Sequence, residues 1–548
     1  MKILTSVPEI QSNPEFYQGD TPVACTAPFI APDRILIGLH GTGLGHACID
    51  LSLNEFEELK SFLYEPQGFR LAVHGIKRIW RELNLGSLET NTDLILDTEL
   101  MAYLLNSGAP EEDYTLSHLV HEYLDEDSPL WLQEIAGQAY PKVMHEILAW
   151  DAYLIYQVAY VLNDRIHAGD PDLAFMYTYG EVPLVTILLE MTRHGIGVDG
   201  AKAAIAYAEA SREAQVLYDA VARGEQVNLW NGREVYELLR RHNSRLIMPS
   251  RDITAFDLRR AALRDPLAAM ILEWRDLQTD LSFLRAAAGR TRIHPEWDTM
   301  TRTGRIYASH PAVQNVDKEK YRPLMVPAPG HVPLKADYKQ LQMRLLANMS
   351  EDPELIKAFR EGKDVHWLTV EMCGIEGATD KEKRDKAKEV NYGILFQITA
   401  KGLAQALGTT IVTAQGYIDA FWSRYSVARE WLDQRVAHLK QKPLATPYVQ
   451  SYLGRRRRFD GEIGAREIRQ AKATILQQSE AEILRMALLS LVGTFRRQKM
   501  KSRVVMILHD AIGVEAPEEE AEEAKRLLEQ SMVRAVEFPF VSLEVDFQ

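Results

Sequence analysis

The 548-residue sequence has little cysteine and no long apolar stretch, and each absence excludes a class of protein. Cys25, Cys48 and Cys373 are few and far apart, so they form neither a disulfide framework nor a zinc-type pair. No uninterrupted apolar run approaches the roughly 20 residues of a membrane span. The N-terminus has only a very short apolar run, which predicts no signal peptide. These absences favour a protein of a reducing cytoplasm, without a membrane partner.

Acidic residues are concentrated at the start of the chain. The first 150 residues carry 8 Lys and Arg against 23 Asp and Glu, whereas the rest is near neutral and holds basic clusters. A chain of this length is expected to form several domains, each with its own core. Local patches decide nucleic-acid binding more than the net charge of -14 does. We therefore expect any contact with nucleic acid in the later part of the chain.

Cations and aromatic rings recur at every fourth residue of the stretch RDKAKEVNYGILF, as Arg384, Lys388, Tyr392 and Phe396. On a helix this spacing places all four side chains on one face. Cations neutralise phosphate oxygens and rings pack on a base and sugar, so the face suits a nucleoside polyphosphate. The residues alone equally allow a solvated helix face with two core aromatics, because such spacing is common.

Two aspartates accompany apolar, strand-like runs on either side of this stretch. LKADYKQLQMRLLA carries Asp337 and Tyr338, and RVVMILHDAIGVEAP carries His509 and Asp510. A carboxylate at a strand end is both rigid and exposed, as a metal ligand must be. Beside a phosphate-binding helix, two such carboxylates indicate a two-metal site for phosphoryl or nucleotidyl transfer.

These three segments resemble motifs A, B and C of family A DNA polymerases, the bacterial polymerase I type. A fourth segment, TRTGRIYASHPAVQNV at 301–316, resembles the family's TGR…S..P.LQN segment. Four matches in the family's order and spacing are specific, whereas one alone would not be. The resemblance is strong from Pro183 onward and weak before Arg70.

The resemblance implies an α/β, exonuclease-like (RNase H-like) N-terminal domain followed by a mostly helical right-hand polymerase domain with an antiparallel palm sheet. Residues 1–19 would be an irregular lead-in, 20–180 the degenerate 3′–5′ exonuclease-like domain and 181–548 the polymerase domain. The implied subdomains are the thumb at about 201–292, the palm at about 293–350 and 430–548, and the fingers at about 351–429.

The resemblance also implies roles for individual residues. Asp337, Asp510 and the backbone carbonyl of Tyr338 would hold two Mg²⁺ ions, or Mn²⁺ in their place. Lys388 would act as a catalytic residue at the α- and β-phosphates, and Arg384 would hold the outer phosphates. The remaining implied contacts are those of Tyr392, Phe396, Gln342 and His509 with the nucleotide or primer end, and those of Arg305, Arg469, Gln477, Gln314 and Asn315 with DNA.

Three departures from the family pattern concern sugar selection and rate. The motif A glutamate, which shapes the pocket around the sugar 2′ position through a motif B tyrosine, is Gln342 here. That tyrosine is Phe396, so both ends of the hydrogen bond have changed, and a mobile, neutral gate is expected. The glycine after it is Gln397, and Ala511 replaces the second acid of motif C.

The exonuclease-like domain lacks most of the carboxylates that the family uses there. The first motif would fall near 23–28 or 35–40, which contain no Asp or Glu, and the second falls near Ile79. Only Asp97 and Asp151 remain, too few to hold a metal pair. We therefore expect a scaffold without 3′–5′ exonuclease activity. The family's 5′ nuclease domain has no counterpart in the sequence.

Two smaller expectations concern the polymerase domain. GRRRRFDGEIGAREIRQAK at 454–472 is the most basic stretch and predicts a patch that contacts the nucleic-acid backbone. His366, where the family has a histidine, is expected to be structural.

The sequence as a whole predicts a template-directed DNA polymerase without proofreading, acting on primer-template DNA and dNTPs in a bacterial or phage-infected cytoplasm. It identifies no processivity factor or helicase partner. Two alternatives stay open. One is a polymerase that accepts ribonucleotides or RNA templates, and the other is a catalytically dead, DNA-binding accessory subunit.

Overall fold

The computed structural model describes residues 2–14, 22–30, 34–42, 44–64, 69–83, 94–124, 142–168, 170–242, 252–440, 447–459 and 461–547. Residues 15–19 of the expected lead-in lie outside the described residues. Within the described chain the apolar side chains gather into several separate cores. One large core and one small cluster belong to the N-terminal sheet and its helices, and the others lie in the C-terminal two-thirds of the chain.

The N-terminal strands form one mixed sheet in the described part of the chain. They are β1 (Lys2–Leu4), β2 (Val23–Cys25), β3 (Phe29–Ile30), β4 (Arg34–Gly41), β5 (Gly45–Ser52), β6 (Leu71–Val73) and β7 (Ile95–Asp97). Their order is β1-β5-β4-β2-β6-β7, with β3 paired to β4. Strand β4 is antiparallel to β5, β2 and β3, whereas β1–β5, β2–β6 and β6–β7 are parallel pairs.

Helices cover this sheet. They are α1 (Val7–Gln11), α2 (Leu53–Tyr64), α3 (Ile76–Glu82), α4 (Thr98–Leu105), α5 (Leu116–Leu124) and α6 (Lys142–His167). The longest, α6, packs across β4, β5, β2 and β6. Gly38 of β4 permits this approach, because a Cβ at that position would lie 1.7 Å from the Leu148 carbonyl oxygen of α6. A larger residue at this position would push the helix off the sheet.

The first residues differ from the expected irregular lead-in. Strand β1 pairs in parallel with β5 at the sheet edge, and Leu4 and Ile10 are fully buried in the N-terminal core. The expectation is therefore wrong for residues 2–11. A three-residue strand carries almost no periodic signal, so its pairing is decided by tertiary contact with β5.

An apolar helical segment joins the two parts of the molecule. It consists of α7 (Pro171–Phe175), a π-helical turn (Met176–Glu181) and α8 (Val182–His194). In the described chain it is the one helix that is long and apolar enough to cross a membrane, and 67% of its apolar window is buried inside the protein. Its first half packs in the N-terminal core, and its second half packs in both that core and the core that follows. The segment is therefore a core element shared by both parts.

A helical arm follows this segment. It comprises α9 (Gly200–Ala222), α10 (Gly232–His242), α11 (Ala255–Ala262) and α12 (Pro266–Ala287). Helices α9 and α12 pack along each other, and the far end of the arm has its own small core. Side-chain caps fix the N-termini of two of these helices. Asp265 caps α12, and Thr254 forms a capping box on α11.

The remaining strands build one four-stranded antiparallel sheet and three two-stranded ribbons. The strands are β8 (Ile196–Gly197), β9 (Arg292–Ile293), β10 (Glu296–Asp298), β11 (Tyr307–Ser309), β12 (His331–Tyr338), β13 (Tyr448–Gln450), β14 (Arg456–Arg458), β15 (Arg503–Leu508), β16 (Ala511–Pro517) and β17 (Val545–Phe547). The sheet has the order β15-β16-β12-β17, and the ribbons are β8–β9, β10–β11 and β13–β14. The sheet is the platform on which the two aspartates lie.

Nine helices complete the described C-terminal part. They are α13 (Leu341–Ser350), α14 (Pro353–Arg360), α15 (Val365–Cys373), α16 (Asp380–Leu395), α17 (Ala400–Leu407), α18 (Ile411–Arg424), α19 (Ser426–Ala437), α20 (Ala465–Arg497) and α21 (Ala521–Val533). Helices α13 to α19 share a separate apolar core. Helices α20 and α21 pack with the four-stranded sheet in another. The cations and rings of α16 are thereby brought beside the sheet.

The arginine run at 455–458 joins the N-terminal and C-terminal parts of the molecule. Arg455 is fully buried, and Arg457 donates hydrogen bonds to Thr474 and Gln470 of α20. The other three arginines form ion pairs with carboxylates, which satisfy their charge without nucleic acid, and the expected contact with the nucleic-acid backbone stays a prediction. Two of these carboxylates belong to the N-terminal domain, and Glu181 lies in the π-helical turn that follows it. The ion pairs are Arg455–Glu181, Arg456–Asp170 and Arg458–Glu122.

Candidate active site

Asp337 and Asp510 lie beside each other at one edge of the four-stranded sheet. Asp337 is near the end of β12, and its register partner on β16 is Ala511. Asp510 immediately precedes Ala511, in the two-residue turn that joins β15 to β16. His509, the first residue of this turn, has a φ of 55°. The hairpin thus brings Asp510 next to Asp337, as the sequence predicts for two carboxylates at strand ends.

The carboxylates of these two aspartates lie close enough to interact with each other. Burial, the charge of Asp337 and the charge of Glu480 raise the pKa of Asp510 to about 8. A divalent cation would relieve this repulsion, and carboxylate and carbonyl oxygens are the ligands that Mg²⁺ prefers. The described residues contain no group of three or more His, Cys, Asp or Glu side chains that could hold a metal ion. The site therefore offers two carboxylates and nearby backbone oxygens, a donor set that fits Mg²⁺ completed by water and phosphate.

Helix α16 carries the cations and the first ring of the predicted face. Arg384, Lys388 and Tyr392 all line the same cleft as the aspartates. Phe396 follows the last helical residue, and its ring stacks near Tyr392 with centroids 6.3 Å apart and planes tilted by 21°. Gln397, after it, has a φ of 60°, a conformation that glycine adopts more readily. The predicted face is thus present, with its last ring just beyond the helix.

Arg384 is held by a carboxylate that the sequence analysis missed. Its Nε lies 2.7 Å from Oδ2 of Asp364. Asp364 also caps α15 by accepting from the His366 N–H, and Gln340 Nε2 donates to its Oδ1 at 3.0 Å. Burial alone would raise the pKa of Asp364, but the hydrogen bonds from Arg384 and the backbone lower it overall. Arg384 is thus pre-positioned beside the cleft.

His366 is a buried, neutral side chain on the wall of the cleft. Burial lowers the pKa of His366 to about 4. Its Nδ1 lies 2.9 Å from the Asn391 side-chain amide, whose oxygen accepts from Thr369. The ring also packs 5.8 Å from Tyr392. This environment agrees with the expected structural role, because the histidine orients the α16 face.

A second unpredicted carboxylate, Glu480 of α20, joins two predicted site residues. Its Oε2 accepts from Gln342 Nε2 at 2.5 Å and from the Arg305 guanidinium at 2.9 Å. Arg305 also lies 6.0 Å from the centroid of the Phe396 ring. Gln342 is therefore held in place, which differs from the mobile gate expected from the loss of the motif B tyrosine.

These residues surround one cleft of about 670 Å³. Most of the predicted site residues line it, and four do not. Those that line it are Arg305, Asp337, Tyr338, Gln342, Arg384, Lys388, Tyr392, Phe396, His509 and Asp510. The unpredicted polar residues that join them are Lys339, Gln340, Arg344, Lys363, Asp364, His366, Glu480, Glu544 and Asp546.

The four other predicted residues lie outside the lining of the cleft. Both ends of the Gln314 side-chain amide bond to the backbone. Its oxygen accepts from the Ala308 N–H, and its nitrogen donates to the Ile306 and Ile507 carbonyls. Asn315 is exposed, and Arg469 and Gln477 are half-buried on α20. The structure therefore separates the predicted nucleotide contacts from most of the predicted DNA contacts.

Asp97, one of the two acids retained in the N-terminal domain, is placed for structure. Asp97 is fully buried and accepts from the backbone N–H groups of Gly75, Ile76 and Glu99, which caps α4. Burial raises the pKa of Asp151 to about 6. Asp97 is thus fully engaged as a helix cap, a sufficient structural reason for its presence.

Two relatives and a family model show what the chain is similar to. The model of DNA polymerase family A matches residues 224–548. The DNA polymerase I of Chloroflexus aurantiacus is 31% identical over 438 residues, covering 73% of this chain and 45% of that protein. The DNA polymerase I of Lactococcus lactis subsp. cremoris is 30% identical over 537 residues, covering 92% and 55%. The chain spans about half the length of these relatives.

A solved structure shares the fold along the whole chain. It is the POL domain of Pol1 from M. smegmatis in complex with DNA primer-template and dNTP, with a TM-score of 0.79 and 23% identity. The match covers 100% of this chain and 98% of that one. The family resemblance drawn from the four sequence segments is confirmed, because the family model alone covers more than half of the residues. The chain belongs to DNA polymerase family A.

Proposed function

We propose that this chain is a template-directed DNA polymerase that adds dNTPs to the 3′ end of a primer. The observation that carries the proposal is that Asp337 and Asp510 line one cleft together with Arg384 and Lys388. Acidic ligands for metal ions and cations for a triphosphate are the two requirements of nucleotidyl transfer. Membership of family A supports the proposal, as does the fold shared with a domain solved with primer-template and dNTP.

The parts of the fold correspond to polymerase subdomains in this proposal. The four-stranded sheet and its helices are the palm (about 293–350 and 430–548), α9 to α12 the thumb (about 201–292), and α14 to α18 most of the fingers (about 351–429). Residues 20–180 are an RNase H-like domain. The strand order β5-β4-β2-β6-β7, with β4 antiparallel to its neighbours, supports this assignment.

Asp337, Asp510 and the Tyr338 carbonyl are the proposed ligands of two Mg²⁺ ions. When bound, the ions would lower the pKa of the primer 3′-hydroxyl and compensate the negative charge of the leaving pyrophosphate. The outer ligands would be water and triphosphate oxygens, since Mg²⁺ is commonly held by one or two carboxylates plus phosphates. The closeness of the Asp337 and Asp510 carboxylates in one cleft supports this assignment.

The remaining residues bind and orient the substrates. Arg384 holds the outer phosphates, and Lys388 binds the inner ones and carries a proton on Nζ for the leaving oxygen. Tyr392 and Phe396 pack on the base and sugar and exclude water. Gln342 lies at the sugar edge. The primer and template contacts are those of His509, Arg305, Arg469, Gln477 and Asn315, while Gln314 acts by fixing the end of β15.

The N-terminal domain serves as a scaffold without 3′–5′ exonuclease activity in this proposal. Two motifs of the family lack their acids in the sequence, and Asp97 is used as a helix cap. Too few hard oxygen ligands remain for a metal pair. The ion pairs of Arg456 and Arg458 with this domain support a scaffold role in contact with the polymerase domain.

A polymerase that also accepts ribonucleotides is the second candidate, favoured by Gln342 and Phe396 at the sugar edge. The third reading, a catalytically dead accessory subunit, is opposed by the presence of Asp337, Lys388 and Asp510 in one cleft. Insertion of dNTPs and NTPs on DNA and RNA templates distinguishes all three.

Primer extension with Mg²⁺ tests the leading proposal. The wild-type chain should extend a primer on a DNA template, and Asp337→Ala and Asp510→Ala should each abolish extension while the thermal melting curve shows a folded protein. Glu544→Ala is the matched control, because Glu544 lines the same cleft but is paired with Arg344. Near-normal extension by either aspartate variant would refute the metal assignment.

A 5′-labelled mismatched primer tests the scaffold role of the N-terminal domain. The primer should not be shortened, and shortening that Asp151→Ala removes would refute the scaffold role.

A further inference from the structure

A single carboxylate oxygen of Glu480 accepts hydrogen bonds from two side chains. Oε2 accepts from the Gln342 amide at 2.5 Å and from the Arg305 guanidinium at 2.9 Å. Glu480 and Gln342 are only 5% and 4% exposed. A carboxylate this buried needs compensation, and the charge of Arg305 provides it while the amide adds a second hydrogen bond. Glu480 is therefore the centre of a small polar network that ties α13, α20 and the segment before β11 together.

The carboxylate fixes the orientation of the Gln342 amide. An ionised carboxylate accepts hydrogen bonds and donates none, so the NH₂ group of Gln342 must point towards Glu480. The Gln342 oxygen then points away from Glu480, and it is buried without a hydrogen-bond partner in the described chain. Rotating the amide by half a turn would place two acceptors in contact, which is unfavourable. Glu480 thus orients the Gln342 amide so that its nitrogen faces Glu480 and its oxygen faces the opposite direction.

The network lies where the sugar of an incoming nucleotide is expected. Glu480, Gln342 and Arg305 line the same cleft as Tyr392, Phe396 and Asp510. The Arg305 guanidinium lies 6.0 Å from the centroid of the Phe396 ring, which stacks near Tyr392. Family A normally places a glutamate at the position of Gln342 and a tyrosine at that of Phe396, according to the resemblance. Here the carboxylate comes from a different helix and the amide is its partner.

We propose that Glu480 is a positioning residue for sugar selection, because it holds Gln342 and Arg305 rigid at the sugar edge of the cleft. The inference rests on the proposed polymerase function. A fixed Gln342 excludes a 2′-hydroxyl by position, whereas a released Gln342 can move aside or offer its NH₂ group to that hydroxyl. Glu480 replaces the anchoring hydroxyl that Phe396 lacks.

Reciprocal exchange of the two side chains is the decisive experiment. The insertion efficiencies, kcat/KM, of dCTP and CTP opposite template G are measured for the wild type, Glu480→Gln, Gln342→Glu and the double variant Gln342→Glu/Glu480→Gln. Glu480→Gln loses a charge-assisted bond and should lower the dCTP/CTP ratio about tenfold. Gln342→Glu alone places two carboxylates in contact and should lower the ratio at high pH more than at low pH. The double variant restores one donor and one acceptor, and its ratio should return to within about threefold of the wild type.

The control variant is Glu482→Gln, two residues along the same helix. Glu482 is also fully buried, but it accepts from Ser451 and the Leu453 N–H, away from the cleft lining. Glu482→Gln should lower the melting temperature and leave the dCTP/CTP ratio unchanged. A merely structural role for Glu480 would do the same, with equal losses for both nucleotides, and that result would overturn the inference. A double variant no more selective than the two single variants would overturn it as well.

Two further measurements keep the outcome decisive. If Glu480→Gln does not fold at the assay temperature, Glu480→Asp replaces it, since a shorter acid keeps the charge but cannot reach both donors; a ratio equal to that of the wild type would then contradict the proposal. Absence of dCTP insertion by the wild type itself would refute the polymerase function, which is a different result from an unchanged ratio in an active Glu480 variant.

Discussion

Arg384 and Asp364 form an ion pair in the candidate active site, with Nε 2.7 Å from Oδ2. Both side chains are partly exposed, so water and phosphate can reach them. A triphosphate that binds Arg384 must compete with this carboxylate. The ion pair therefore keeps the cation in position at the expense of some affinity for the nucleotide.

Asp364→Asn should lower the KM for dNTP by about two- to fivefold, because an ion pair at this exposure is worth about 0.2–1 kcal/mol. Asparagine keeps the cap of α15, so the melting temperature should stay close to that of the wild type. Asp364→Ala removes the cap too and should destabilise the protein by about 1 kcal/mol. Single-nucleotide insertion kinetics and thermal melting measure both effects. A higher KM in Asp364→Asn would show that the carboxylate orients Arg384 productively rather than competing with substrate.

The parts of the site nearest the sequence motifs could be predicted because they are local. An apolar run that ends at Asp337, followed by apolar residues at helical spacing, predicts a strand and then a helix. The structure has β12 followed by α13 at these positions. The face of α16 follows from i,i+4 spacing alone. Phe396 falls just outside that helix, since boundaries depend on the turn at Gln397 rather than on the pattern.

Partners that are distant in sequence could not be predicted. Glu480 sits in the mixed polar and apolar helical stretch TILQQSEAEILRMALL, and this stretch does not reveal that the partners of Glu480 are Gln342 and Arg305. The arginine run was ambiguous for the same reason. Charge predicts an acidic partner, and both phosphate and the acidic N-terminal domain satisfy that requirement.

Arg456 and Arg469 should separate these two uses of positive charge. Arg456 is bound to Asp170 at 3.0 Å, whereas Arg469 lies on α20 and is a proposed DNA contact. Arg456→Ala should leave the affinity for primer-template DNA and its salt dependence unchanged. Arg469→Ala should weaken binding and reduce the slope of log K against log salt by about 1. Fluorescence anisotropy at several salt concentrations measures both. An equal loss of affinity in Arg456→Ala would support the expectation that the run contacts the nucleic-acid backbone.

Glu99 should make the stability of the protein depend on pH. Burial, with the charges of Asp97 and Asp298, raises the pKa of Glu99 from its ordinary value of 4.5 to about 8. Between these values the folded protein keeps a proton that the unfolded chain has lost, so the free energy of unfolding falls as pH rises towards 8. Glu99→Gln cannot ionise and should be more stable than the wild type above pH 8, by about 1–3 kcal/mol.

The difference between Glu99→Gln and the wild type should vanish near pH 5, where Glu99 is protonated in the folded protein. Denaturant unfolding at pH 5, 7 and 8.5 measures it, with Glu82→Gln as the control at an exposed glutamate of the neighbouring α3. A stability difference that is the same at all three pH values would contradict the raised pKa.

Tyr392 should make the enzyme tolerant of chain-terminating dideoxynucleotides. Its ring lines the cleft, and burial, together with the charges of Asp510, Glu480 and Asp337, raises the pKa of its hydroxyl. The phenol therefore stays protonated at working pH and remains a hydrogen-bond donor. Such a donor can replace, near the 3′ position, the contact that the missing 3′-hydroxyl of a dideoxynucleotide would make.

Tyr392→Phe keeps the ring and removes this donor, so discrimination against ddTTP relative to dTTP should rise roughly tenfold to a hundredfold, the equivalent of one buried hydrogen bond. The ratio of insertion efficiencies opposite template A measures the effect. Tyr417→Phe is the control, because Tyr417 lies on α18, outside the lining of the cleft. The ratio should not change in that variant. If it does not change in Tyr392→Phe either, the hydroxyl makes no contact near the 3′ position, and dideoxynucleotide selection depends on another part of the cleft.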